Sequence, residues 1–329
     1  MAWDEIIGQD LPKRILQTHL KDGRVANGYL ICGPEGVGKK RLALEMAKAL
    51  NCESEKSRPC GSCRFCQQIT RGTHPDVHLV VPGGASDQIK IDQIRHILGR
   101  IGLRPFNARY QVVILEQAER LTEEAANSLL KSLEEPSAHT RFLLTTSQLS
   151  ACLPTIRSRC QIIRAQPLAA EVIEKILLQA DPPVDAQTAA MVAELSSGSA
   201  SRALELARRW DAYQQLLNRF AGEDLKTWIE SPAVETREEV RELLDGLMGW
   251  LRDVALAAAT ADEHVRHRQH REAIFKQASR IDLDRCLTAA EELIKLRESV
   301  DQFISPRLVA VVARETWLSL IQQTPAPIP

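Results

Sequence analysis

The chain has 329 residues, with 42 Lys and Arg against 43 Asp and Glu for a net charge of −1, and 44% of it is hydrophobic. That length allows about two or three domains with self-sufficient cores, and the balanced charge excludes a protein that coats nucleic acid through bulk charge, although not one with a local basic patch. No apolar run approaches the roughly 18 residues of a membrane span, and Met1-Ala2-Trp3-Asp4-Glu5 lacks a signal-peptide pattern, so a cytoplasmic protein with no membrane partner is expected.

Apolar positions at helical spacing (Ile7, Leu11, Ile15, Leu20) predict a helix over 8–22. Tyr29 to Cys32 is a short apolar strand that runs into Gly33-Pro34-Glu35-Gly36-Val37-Gly38-Lys39-Lys40, and strong helix formers follow from Leu42. Further strands are predicted at Val77–Val81, Gln111–Leu115, Arg141–Thr146 and Gln161–Arg164, with helices between them at Ile91–Ile101 and Glu123–Leu133. Strands alternating with helices over the first 165 residues predict an α/β fold with a parallel sheet covered on both faces. After Gln166-Pro167 the strand pattern ends. The segment 168–208 reads as three short helices, with breaks at Asp181-Pro182-Pro183 and Ser197-Gly198 and a later one at Ser231-Pro232. Arg237–Ala259 carries Val240, Leu243, Leu244, Leu247, Leu251 and Val254 along one helical face. The proline-rich tail 324–329 is expected not to fold, and no internal repeat is present.

Residues Gly33 to Lys39 fit G-x4-G-K, the loop whose backbone N–H groups cradle phosphates and whose lysine reaches the outer ones. Gly33, Gly36, Gly38 and Lys39 are therefore candidate nucleotide-binding residues for ATP or ADP. The next position normally supplies a Ser or Thr hydroxyl to Mg²⁺; Lys40 cannot, so binding is expected to be weak or absent. The strand Val112–Leu115 should end in an Asp for the metal and a Glu to activate water, but the chain offers Glu116 and Gln117. Hydrolysis by this chain is not expected.

Four of the eight cysteines, Cys52, Cys60, Cys63 and Cys66, cluster between positions 52 and 66. Two overlapping C-x2-C pairs without a secretion signal read as a tetrahedral structural zinc site; a redox pair or four idle thiols is the other reading. His74, before Pro75, reads as a loop residue rather than a fifth ligand. His264, His267 and His270 lie three apart in an Arg-rich stretch and read as a solvated polar face. Arg159 of Ser158-Arg159-Cys160, at a helix-to-strand junction, is by itself a surface charge.

Taken together, the chain resembles the clamp-loader branch of the AAA+ ATPases over nearly its whole length. The marks are Ile7-Gly8-Gln9, the P-loop, the four-cysteine insert after the P-loop helix, His74-Pro75-Asp76 and Ile89 to Arg95. The run from Ala125 through Asn127 to Glu134-Glu135-Pro136 and the triplet Ser158-Arg159-Cys160 are the most specific to that branch. The resemblance implies an AAA+ P-loop domain over 1–166 with a zinc insert at about 50–76, a helical lid over 167–208 and an all-α collar domain over 209–323. It implies a non-catalytic subunit of a DNA-directed DNA polymerase holoenzyme that helps load the sliding clamp onto primed DNA. Its partners would be the tau/gamma motor subunits and a delta subunit, and Arg159 would be an arginine finger given in trans to a motor subunit's ATP site. Two positions depart from the pattern: Arg202 falls one residue late for the motor subunits' nucleotide sensor, and Ser305 replaces a common Asn. A stand-alone zinc-containing P-loop ATPase or switch in DNA repair is the alternative; it would turn over ATP by itself and carry a basic face. A purely structural scaffold with an incidental Arg159 is a third reading.

Overall fold

The computed structural model describes residues 2–55, 57–84, 86–101, 104–135, 137–222, 234–259, 262–300 and 305–322. The tail 324–329 and the break at Ser231-Pro232 lie outside the described residues. Two compact units divide the chain, Met1–Glu205 and Leu206–Pro329.

In chain order the first unit holds α1 (Asp10–Lys21), β1 (Gly28–Cys32), α2 (Lys39–Asn51), α3 (Arg64–Thr70), β2 (Val77–Val80), α4 (Ile91–Ile101) and β3 (Gln111–Leu115). It continues through α5 (Glu123–Glu134), β4 (Thr140–Thr146), α6 (Pro154–Arg159), β5 (Gln161–Arg164), α7 (Ala170–Leu178), α8 (Ala186–Leu195) and the start of α9 (Ala200–Arg208). Among the described residues the strands form one parallel five-stranded sheet in the order β2-β3-β4-β1-β5. β1 and β3 are buried at every position, as strands covered on both faces must be, which is why Tyr29–Cys32 and Val112–Leu115 read as unbroken apolar runs. Tyr29, Ile31, Val112 and Ile114 pack on one face with Leu16, Leu42 and Met46. Leu30, Val113, Leu115 and Phe142 pack on the other with Ile94, Leu129 and Ile156. The fold is thus the α/β P-loop type that the alternation predicts. All strands being parallel, their carboxyl ends share one rim, where ligands of such sheets bind.

Three short helices do follow Pro167, namely α7, α8 and α9. The Leu168 N–H donates to Gly198 O at 2.9 Å, and Ala200 N–H donates to Gly36 O at 3.0 Å, so residues 198–201 lie directly against the P-loop.

The second unit is helical throughout its described residues: α10 (Trp210–Ala221), α11 (Arg237–Ala258), α12 (Arg271–Ala278), α13 (Leu283–Ser299) and α14 (Pro306–Gln322). A capping box of Thr236 and Glu239 starts α11, satisfying two otherwise orphaned N–H groups. Its apolar stripe, with its own Trp250, is buried as the periodicity predicts, in one core with Phe220 and Trp317. Gln277 spans this core, accepting from Trp250 Nε1 at 2.8 Å and donating to Phe220 O at 2.8 Å. One expectation fails here. His267 is not on a solvated face but buried, with Nδ1 2.7 Å from the buried Asp253 carboxylate and Nε2 3.1 Å from Tyr213 Oη. His264, His267 and His270 read as one solvated polar face, but two short 3-10 turns flank His267, which folds inward.

Candidate nucleotide and metal sites

The P-loop leaves β1 at the sheet's carboxyl rim and opens α2. Gly33 has to be a glycine because a β-carbon there would collide with the Ala165 carbonyl. Gly36 has φ +75° and lies against the Ser199 hydroxyl, so a side chain would fail on both conformation and space. Lys39 Nζ donates to Gly33 O at 2.8 Å and Pro34 O at 2.6 Å, tying the loop's two ends together. Burial lowers the Lys39 pKa, while the carboxylates of Glu119 and Glu35 counter that shift. Gln9 fastens the loop from outside: its amide donates to Val37 O at 3.1 Å and Gln166 O at 2.6 Å and accepts from Gln166 N–H at 3.0 Å.

Across the rim, Glu116 and Gln117 leave the end of β3. Lys40 Nζ lies 2.8 Å from Glu116 Oε1. The two residues read as separate losses are therefore one ion pair. Mg²⁺ does not fit this arrangement: an ammonium takes the position of the hydroxyl ligand, and the carboxylate that should reach the metal is engaged with it. Gln117, in the left-handed region at φ 54°, offers an amide where a proton acceptor is needed. Glu119 is a further acidic group at the rim that the sequence did not single out. It accepts from the backbone N–H of Ser147 at 2.9 Å and from that residue's hydroxyl. Burial raises the Glu119 pKa, yet these Ser147 hydrogen bonds outweigh it and leave the carboxyl below its usual range.

The four cysteine sulfurs all lie within 4.8 Å of one another. A tetrahedron of Zn–S bonds about 2.3 Å long has edges of about 3.8 Å, so the set is of single-ion size. Backbone N–H groups of Cys60, Cys63 and Cys66 approach the sulfurs of Cys52, Cys60 and Cys63 at 3.4, 3.3 and 3.4 Å. Such donors suit thiolates. Slight burial raises the Cys60 thiol, but the N–H groups of Cys63 and Ser62 and the Ser62 hydroxyl bring it down to about 6. Burial pushes Cys52 and Cys66 up, so a cation is what would hold them deprotonated. The donors fit zinc, which Cys52, Cys60, Cys63 and Cys66 would hold. His74 stays out of the set: its Nδ1 accepts from Asp76 N–H at 3.1 Å, as a loop residue's would. Asp76 in turn accepts from the N–H groups of Phe106, Asn107 and Ala108 at 2.7, 3.0 and 3.0 Å, pinning the loop before β3. Elemental analysis of the native protein is expected to find about one zinc per chain, and Cys63→Ser about none, with amide exchange rising in the insert and not in the sheet. No zinc in the native protein, with all four thiols freely titratable, would refute this site.

Arg159 ends α6 at the opposite rim. Its backbone neighbours Gly28, the first residue of β1, whereas the P-loop begins at Gly33. Five residues of strand separate them, roughly 16 Å. Arg159 is part-exposed; it pairs with Glu134, and its NH1 donates to Thr155 O at 3.0 Å and Ser158 Oγ at 3.2 Å. The structure thus gathers Gly33, Gly36, Gly38 and Lys39 at one rim, the cysteines in their own cluster and Arg159 apart from both.

Residues 8–169 match the sequence model of the family described as DNA polymerase III, delta subunit. The chain is 38% identical over 209 residues to the DNA polymerase III subunit delta' of Bacillus subtilis (strain 168), covering 63% of this chain and 62% of that one. It is 42% identical over 177 residues to the subunit delta' of Pseudomonas aeruginosa, covering 53% of each. Against the DNA polymerase III subunit tau of Bacillus subtilis (strain 168) the identity is 32% over 209 residues, 62% of this chain and 37% of that one. The chain spans between about half and three-fifths of the length of the delta' relatives it matches. Among the described residues no helix is long and apolar enough to cross a membrane.

Proposed function

From the premise that the chain belongs to the delta-prime family of bacterial DNA polymerase III subunits, AAA+ proteins of the clamp loader, we propose that it is a non-hydrolysing clamp-loader subunit. It assembles with tau/gamma motor subunits and a delta subunit and helps to place the sliding clamp on primed DNA, giving Arg159 to a neighbouring motor subunit's ATP. The observation that carries this reading is the position of Arg159: its backbone lies beside the start of β1, roughly 16 Å of strand from the P-loop at that strand's other end, farther than an arginine side chain reaches, whereas at a domain surface it can reach a neighbour's phosphate. The Lys40–Glu116 pair supports the same division of labour by removing magnesium chemistry from this chain's own site. In this reading 1–166 is the P-loop domain, 167–208 the lid and 209–323 the collar. Leu287 and Ile294 on α13 and Leu308 and Val311 on α14 are half exposed or more, apolar surface that collar domains of other subunits would cover.

A tagged full chain passed through extract of its source cells is expected to retain tau/gamma, delta and the sliding clamp. The purified chain alone is expected to show no ATP turnover. Lys40→Thr should not create any, because Gln117 still cannot accept a proton. Turnover by the pure protein that Lys39→Ala abolishes, with no clamp-loader subunits retained, would establish the stand-alone ATPase instead.

A further inference from the structure

Two strand spacings, about 10 Å, separate the ends of β1 and β3, with β4 between them. A working P-loop site bridges that gap with a magnesium ion between a short Ser or Thr and a short Asp. Here two long side chains meet directly, Lys40 and Glu116 at 2.8 Å. The charge count is unchanged by the exchange. In the working site two positive charges on the metal face one Asp and one Glu, a sum of zero; here one ammonium, one carboxylate and the neutral Gln117 also sum to zero. The rest of the cradle is kept. Lys39 closes the loop, Gln9 and Ala200 fasten Val37 and Gly36, and Gly38 holds φ +99° with open space where a side chain would be. The carboxylates bearing on Lys39 are Glu119, which Ser147 holds by two hydrogen bonds, and Glu35 in the loop.

We infer that Lys40, countered by Glu116, is a tethered replacement for the magnesium ion, so that this P-loop binds the diphosphate of a nucleotide such as ADP without a metal. The inference rests on the reading that this loop does not hydrolyse, and it goes beyond it: the departures from the motif exchange the metal for a side chain rather than destroying the site. An ammonium can offset phosphate charge, but it cannot polarise and orient a water as a metal-centred site does. Holding without hydrolysis follows.

The test is titration of N-methylanthraniloyl-ADP with the full chain, in EDTA and in excess Mg²⁺, by fluorescence anisotropy. The wild-type chain should bind saturably in EDTA, and Mg²⁺ should leave the affinity within about twofold or weaken it by competing for the ADP. The double variant Lys40→Thr/Glu116→Asp restores both short ligands and should bind about tenfold more tightly with Mg²⁺ than in EDTA. Lys40→Met leaves Glu116 uncountered beside the phosphates and should lose binding in EDTA. Wild-type binding that Mg²⁺ tightens about tenfold, no saturable wild-type binding in EDTA, or Lys40→Met binding as the wild type would each overturn the inference. ATP turnover is followed in the same samples. Turnover by the wild type refutes the non-hydrolysing reading, whereas metal-dependent ADP binding without turnover refutes only the tethered cation.

Discussion

On the proposed function, Arg159→Ala is expected to leave the folding and assembly of the chain intact while sharply lowering the work of the clamp-loader complex. The side chain is part-exposed and its Glu134 partner more so, and an ion pair of that kind contributes about 1 kcal/mol or less. Its proposed value lies elsewhere. A planar guanidinium placed on the transferring phosphoryl group of a neighbour accelerates hydrolysis at that one site by about 10³- to 10⁵-fold in related phosphoryl-transfer systems. Sites served by other subunits would go on working, so total DNA- and clamp-stimulated ATPase should fall only in part. Clamp loading is expected to fall further. Arg159→Lys should recover little, since an ammonium lacks the fork that grips two phosphate oxygens. Complexes reconstituted with wild-type or Arg159→Ala protein give both rates, and equal values in both assays would reduce Arg159 to an ordinary surface charge. The contacts seen here add a detail. Glu134, Thr155 O and Ser158 Oγ hold the guanidinium in one place before any neighbour arrives.

What the sequence made legible follows from how each feature is encoded. The central strands could be read because burial on both faces forces continuous apolar runs such as Val112–Leu115. The P-loop and the four cysteines are contiguous, so their chemistry is written locally. The Lys40–Glu116 contact is not, because the partners follow different strands and meet only through the order β3-β4-β1. Read along the chain, they were two defects; the sheet makes them one compensated pair. Glu119 was missed for a similar reason. Its partner Ser147 follows a different strand, and a lone glutamate after a strand carries no local signal. The helices of the second unit left only a generic stripe, since close-packed helices can bury many equivalent patterns. His267 misled outright. Nothing within a few residues of it reveals that Asp253, on α11, awaits it in the core.

That buried pair predicts the largest loss of stability in the molecule. Asp253 has no exposed side-chain surface and accepts from four donors: His267 Nδ1 at 2.7 Å, the N–H groups of Arg266 and His267 at 2.8 Å each, and Arg252 NH1 at 2.8 Å. Together these fasten the segment after α11 onto that helix. Asp253→Ala removes the acceptor and leaves an imidazole and two backbone donors buried without it, an outcome that costs about 3–5 kcal/mol. Asp253→Asn preserves the shape but can accept at one oxygen only, so its loss should be smaller. Acid should act in the same direction. Burial alone would raise the carboxyl's pKa, but the His267 side-chain and backbone hydrogen bonds, with the charges of His267 and Arg252, bring it below the ordinary value. A depressed folded-state pKa contributes stability that is present above the unfolded value of about 3.9 and is lost as pH falls through the folded value. Urea unfolding followed by tryptophan emission reports on this core directly, because Trp250 and Trp317 are both buried in it. The wild type should lose stability below about pH 4, and Asp253→Ala should lack that part of the acid dependence as well as the neutral-pH stability. A loss under about 1 kcal/mol at neutral pH, with an unchanged acid limb, would show that the His267–Asp253 contact does not hold the second unit together.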